Sequence, residues 1–75
     1  MNVRTLLPAL ASLTPREEVI LRSLYGIGQT AQSVESVAQA LAWTTTRVQK
    51  VKLIALGKLS LRFDLSLRDI VEAAA

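Results

Sequence analysis

The chain has 75 residues, nine Lys and Arg against six Asp and Glu, and neither His nor Cys. A single domain follows from that length, and the missing residue types exclude disulfides, thiolate nucleophiles, the usual Zn, Cu and haem ligands and the commonest general base. The expectation is a non-enzymatic protein without metal or cofactor, placed in the cytoplasm because no apolar run approaches the ~18–20 residues that span a bilayer and no secretory leader is recognisable.

Hydrophobic residues make up 51% of the chain, with one Trp, one Tyr and one Phe. A core built from Leu, Val, Ile and Ala favours helices over a β sandwich. The expected fold is all-α: one domain of four or five short helices containing a helix-turn-helix. Its expected parts are a short N-terminal helix within 1–12, a core over 13–60 and an amphipathic C-terminal segment over 61–75.

Residues 3–11 predict a short helix, with Pro8 either in its first turn or ending it. Thr14-Pro15-Arg16-Glu17 marks the next start: Thr14 as N-cap, Pro15 at the first helical position and Glu17 completing a capping box. Leu13 is placed to staple onto the Glu18 stem or Val19. Val19, Ile20, Leu21 and Leu24 carry this helix to Tyr25, where Gly26 and Gly28 stop it.

After a polar loop, Ser33 caps a short helix whose stripe is Val34, Val37, Ala38 and Leu41. Ala42-Trp43 forms a tight turn, and Thr44 caps a helix expected over 45–60, with Val48, Val51, Ala55 and Leu59 inward. Gly57, worth roughly 1 kcal/mol less than Ala inside a helix, either thins that helix for close packing or ends it. Asp64 or Ser66 caps a last segment with Leu67, Ile70, Val71 and Ala74 on one side.

Charge is concentrated. Residues 43–63 hold Arg47, Lys50, Lys52, Lys58 and Arg62 and no acid, whereas residues 1–42 sum to zero and the remainder is acidic. A basic stretch on a helix is a phosphate-binding footprint. The same stretch begins inside a helix-turn-helix spacing: Val37-Ala38 for close approach, Leu41 ending the first helix, small Ala42 in the turn, Trp43 plugging the core, Thr44 as cap, and Val48 and Val51 as anchors. Such a pair aims the first turns of its second helix at a DNA major groove. The residues placed there are Thr44, Thr45, Thr46, Gln49 and Lys50, flanked by Arg47 and Lys52. Lys50 and Gln49 reach base edges, Arg47 and Lys52 suit phosphates, and Thr hydroxyls suit either.

Leu13-Thr14-Pro15-Arg16-Glu17-Glu18-Val19-Ile20-Leu21-Arg22, then Tyr25-Gly26-Ile27-Gly28, resembles the start of region 4 of bacterial sigma-70-type factors. Ser33 to Ala38 and onward to Leu59 resembles its helix-turn-helix. The likeness covers residues 13–59, about two thirds of the chain. Output domains of quorum-sensing-type response regulators also begin with Leu-Thr-Pro-Arg-Glu, but reach their second helix several residues sooner. The Tyr-Gly-Ile-Gly turn and the spacing from Leu13 to Ala38 follow the sigma layout.

The resemblance implies a transcription module. Its second helix would read the promoter −35 element on double-stranded DNA, and its earlier helices, with Leu21 and Leu24 as candidates, would hold the β flap of RNA polymerase. It also implies an anti-sigma or other regulatory protein as a further partner.

Thr44 and Arg47 match the family pattern. Thr45, Thr46, Gln49 and Lys50 stand where the family usually has Arg, Glu, Arg and Gln. Two bidentate Arg-to-base contacts, at about 1–3 kcal/mol each, are thereby lost, and consensus −35 specificity with them.

Leu53 and Ile54 replace a small and a basic residue of the family pattern. Either the C-terminal helix folds back over them into one larger core, or Leu53, Ile54 and Ile70 form a docking face for polymerase, a sigma factor or a second copy as a homodimer. No other motif stands out. Glu17-Glu18 complement the helix dipole, Asp64, Asp69 and Glu72 are too scattered for a calcium loop, and Gly26-Ile27-Gly28 lacks the strand and third glycine of a dinucleotide site.

Overall fold

A computed structural model describes residues 3–74 of the chain. Five helices follow in order: α1 Val3–Ala11, α2 Pro15–Tyr25, α3 Val34–Leu41, α4 Thr45–Phe63 and α5 Leu67–Ala74. The domain is all-α, and no strand occurs among the described residues. None of these helices is long and apolar enough to cross a membrane.

Local chemistry sets the helix starts. The Thr14 hydroxyl accepts from the Glu17 N–H at 3.3 Å and the Glu17 carboxylate accepts from the Thr14 N–H at 3.0 Å, so the capping box is closed on both sides. Ser33 accepts from the Ser36 N–H at 3.1 Å, and Thr44 from the Arg47 N–H at 3.1 Å. For α5 the cap is Ser66, whose hydroxyl accepts from the Asp69 N–H at 3.3 Å while Asp69 Oδ2 accepts from the Ser66 N–H at 2.9 Å. These bonds from Ser66 hold the Asp69 carboxyl below its ordinary range. Asp64 instead closes α4, in the left-handed conformation at φ 55°.

The stops are equally local. Gly26 sits at φ 68°, and a side chain there would meet the Ala31 nitrogen and the Gln29 oxygen, each at 3.1 Å. Glycine alone fits that combination. At the end of α3 the Trp43 N–H donates to Ala38 O at 2.9 Å and the Ala42 N–H to Gln39 O at 3.2 Å. That is the Schellman pattern, with Ala rather than Gly in the left-handed position at φ 58°.

Two apolar clusters hold the helices together. The first joins Leu6, Ala9 and Leu10 of α1, Leu13, Leu21 of α2, Ile27, Ala55 and Leu59 of α4, Leu65, and Ile70 of α5. The second lies under the helix-turn-helix: Ile20 of α2, Val37 and Ala38 of α3 and Val48 of α4, ringed by half-buried Leu24, Val34, Leu41, Trp43 and Val51. Adjacent residues Ile20 and Leu21 thus face different clusters, and α2 and α4 serve both.

Three expectations change. α4 continues past residue 60 to Phe63 and ends where Asp64 turns left-handed and its N–H bonds back to the Leu59 and Ser60 carbonyls; Gly57 lies inside the helix and neither ends it nor packs closely, with nothing within 4 Å of where its side chain would be. Leu13 enters the first cluster rather than stapling onto Val19, which stays exposed. The C-terminal helix does not cover Leu53 and Ile54. Leu65, the residue after the Asp64 cap, is buried in the first cluster with Ile70, which commits α5 to the side occupied by α1 and α2. Val71 is exposed, and Leu67 and Ala74, expected beside Ile70, lie outside the residues whose side chains are described.

Candidate nucleic-acid interface

The second cluster fixes where α4 begins. Val48 is fully buried against Val37 and Ala38, so residues on the opposite side of the first two turns face solvent. Thr44, Thr45, Thr46, Arg47, Gln49 and Lys50 are all exposed and Lys52 is half-buried. Thr46 and Lys50 form one row four residues apart. Thr45, Gln49 and Lys52 form the next. The Thr44 hydroxyl accepts from the Arg47 N–H, which leaves the Thr45 and Thr46 N–H groups without an intrahelical partner at the positive end of the helix dipole. The sequence-predicted nucleic-acid residues therefore share one end of one helix.

Trp43 is half-buried against the second cluster, as its expected role of plugging the turn requires. Its ring does something more. The Arg47 guanidinium lies over it at 3.9 Å from the centroid, and that of Arg16, at the start of α2, at 6.0 Å. Stacking restricts the long Arg47 side chain without occupying its outer N–H groups, so less rotamer freedom is lost when it meets an anion. Arg16 is a basic neighbour that linear reading missed. Its only sequence signal is its place in the first turn of α2, which does not reveal that α2 starts beside the Ala42-Trp43 turn.

The basic block is smaller than its composition. Lys58 donates to both carboxylate oxygens of Glu17, at 2.8 and 3.0 Å, joining α4 to α2. Burial pushes the Glu17 carboxyl up, but hydrogen bonds from Lys58 and Thr14 outweigh it and hold the group below its ordinary value. Arg22 pairs with Glu18 and Arg68 with Glu72. Among the described residues, Arg16, Arg47, Lys50, Lys52 and Arg62 have no carboxylate within ion-pair distance. Four of these five surround the first turns of α4.

The expected protein-binding residues divide. Leu21 and Ile70 are both 0% exposed and hold the first cluster together. Neither is available to a partner in this fold, which corrects the expectation for both. Leu24 is half-buried at the edge of the second cluster. Leu53 and Ile54 are 63% and 53% exposed and remain uncovered.

No family model matches the chain, and no solved structure matches it significantly.

Proposed function

We propose that this domain is a sigma-region-4-like transcription module that binds duplex DNA by inserting the first two turns of α4 into the major groove. Thr45, Thr46, Gln49 and Lys50 form a continuous exposed surface at the N-terminal end of α4, the second helix of a helix-turn-helix, edged by Arg47, Lys52 and Arg16, with no carboxylate paired to any of these cations among the described residues. Arg47, Arg16 and Lys52 hold phosphates, and Lys50 and Gln49 meet base edges. Contact with the β flap of RNA polymerase falls to Leu24, since Leu21 is enclosed.

Fluorescence anisotropy with a labelled −35-type duplex and a scrambled duplex, each at low and moderate salt, tests the reading. Binding should weaken as salt rises, with a log–log slope of roughly −3 to −4 if three or four cations each neutralise a phosphate. With the family's two Arg positions replaced by Thr45 and Gln49, discrimination between the two duplexes should be small. Absence of binding at low salt would refute the proposal.

A further inference from the structure

We propose that the outward face of α4 pairs antiparallel with the same face of a second copy of the chain, about a two-fold axis at Gly57. Lys50, Leu53, Ile54, Gly57 and Leu61 succeed one another at steps of one, three and four residues, so they occupy one side of α4, and Asp64 is the cap that closes the helix three residues after Leu61. Leu53 and Ile54 are exposed and Leu61 is 90% exposed. Scattered apolar side chains are ordinary on a surface, but three on one helical stripe form a patch.

The stripe is complementary to itself when reversed. Lys50 and Asp64 lie seven residues before and after Gly57, about 10 Å along the helix in each direction. Leu53 and Leu61 lie four residues before and after it. Rotation about Gly57 therefore sets Lys50 beside Asp64 of the second copy and Leu53 against its Leu61, each contact made twice. Neither Lys50 nor Asp64 has an ion-pair partner among the described residues. At the crossing point Gly57 has open space within 4 Å, which lets the two helices approach closely.

A parallel pair would oppose Lys50 to Lys50 and Asp64 to Asp64, so charge selects the antiparallel arrangement. The other α4 cations do not obstruct it: Lys58 is turned to Glu17, Arg47 is stacked on Trp43, Lys52 is half-buried off this face, and Arg62, five residues from Gly57, lies well round the helix from it. One helix pair buries less than the ~1,200–2,000 Å² of a standard stable interface, so pairing depends on concentration. Lys50 belongs to this face and to the DNA surface, so pairing and duplex binding exclude each other. That consequence rests on the proposed function, whereas the pairing itself does not.

Sedimentation of the full chain over a wide concentration range should show mass rising from 8.2 kDa towards twice that value. Leu61→Glu should keep the chain monomeric with an unchanged thermal melt, while Val71→Glu, on exposed α5 surface, should leave pairing intact. The chain has no cysteine, so disulfides report register directly. Mixed Leu53→Cys and Leu61→Cys chains should cross-link to each other in preference to themselves. A monomer at every concentration, pairing indifferent to Leu61→Glu, or equal self-cross-linking would overturn the proposal. Failure of duplex binding by the monomeric Leu61→Glu chain would count against the proposed function and leave the pairing standing.

Discussion

The two ends of this domain are built differently. At one end α1, α5 and the last turns of α4 enclose a cluster with Leu6, Leu10, Leu21, Leu59 and Ile70 fully buried. At the other, the helix-turn-helix rests on Ile20, Val37, Ala38 and Val48, surrounded by side chains that remain partly wet. Stability is concentrated at the first end and exposed chemistry at the second. α2 and α4 run through both, so the thicker cluster holds the helices on which the thinner end depends. A domain of this size has a small margin, with single cores below about 70–80 residues supplying only about 3–5 kcal/mol.

The sharpest way to break this contrast is to remove volume from the thick end. Leu59→Ala should cost about 2–5 kcal/mol, enough to unfold much of the population at room temperature. Urea denaturation checks it, and a loss under 1 kcal/mol would mean that the first cluster is not the main support. At the other end, Lys50→Ala should leave the urea midpoint unchanged while weakening duplex binding by about 1–2 kcal/mol. Equal affinities would separate Lys50 from the DNA surface.

Glu17→Gln acts where the two ends join, at the Glu17–Lys58 pair. Gln keeps the capping-box geometry but loses the charge that Lys58 meets, for a destabilisation of about 1 kcal/mol. Because the folded-state pKa of Glu17 is lowered, its contribution is present above the ordinary Glu range and is lost as pH falls through the folded value. Stability of the parent chain should therefore fall on acidification in that range, and the Gln variant should show a flatter profile. The smallest effect is in the turn itself. Ala42 adopts φ 58°, a conformation glycine takes without the side-chain penalty, so Ala42→Gly should raise stability by up to about 1 kcal/mol in thermal or urea unfolding, with no change in duplex affinity.

Much of the fold could be read from short-range chemistry. Thr14, Ser33 and Thr44 cap where their spacing to the following apolar stripes indicates, and the Val37–Val51 pattern specifies the helix-turn-helix. These features depend on residues three or four apart. What escaped linear reading depends on tertiary partners. The Leu21 and Ile70 side chains looked available because amphipathic spacing gives a face but not its occupant. Lys58 looked like one cation of five until α2 brought Glu17 to it from 41 positions away. α4 runs three residues past its expected end because Asp64, one of two candidates for starting the last segment, instead closes α4 in the left-handed conformation, a choice that side-chain type alone does not fix; Gly57, at a cost of only about 1 kcal/mol, stays inside the helix between Ala55 and Leu59. In the candidate site, the cluster of Thr45, Thr46, Gln49 and Lys50 was legible from the cap and the anchors. The Arg16–Trp43–Arg47 arrangement was not, since it requires knowing where α2 starts in space.

Whether the first turns of α4 meet DNA is read most directly from an amide and indole chemical-shift map of the labelled full chain titrated with a DNA duplex at low salt. Changes should concentrate at Thr44 to Lys50, the Trp43 indole N–H and Arg16, with α1 and α5 unmoved. Changes centred on α1 or α5, or none at all, would contradict that contact.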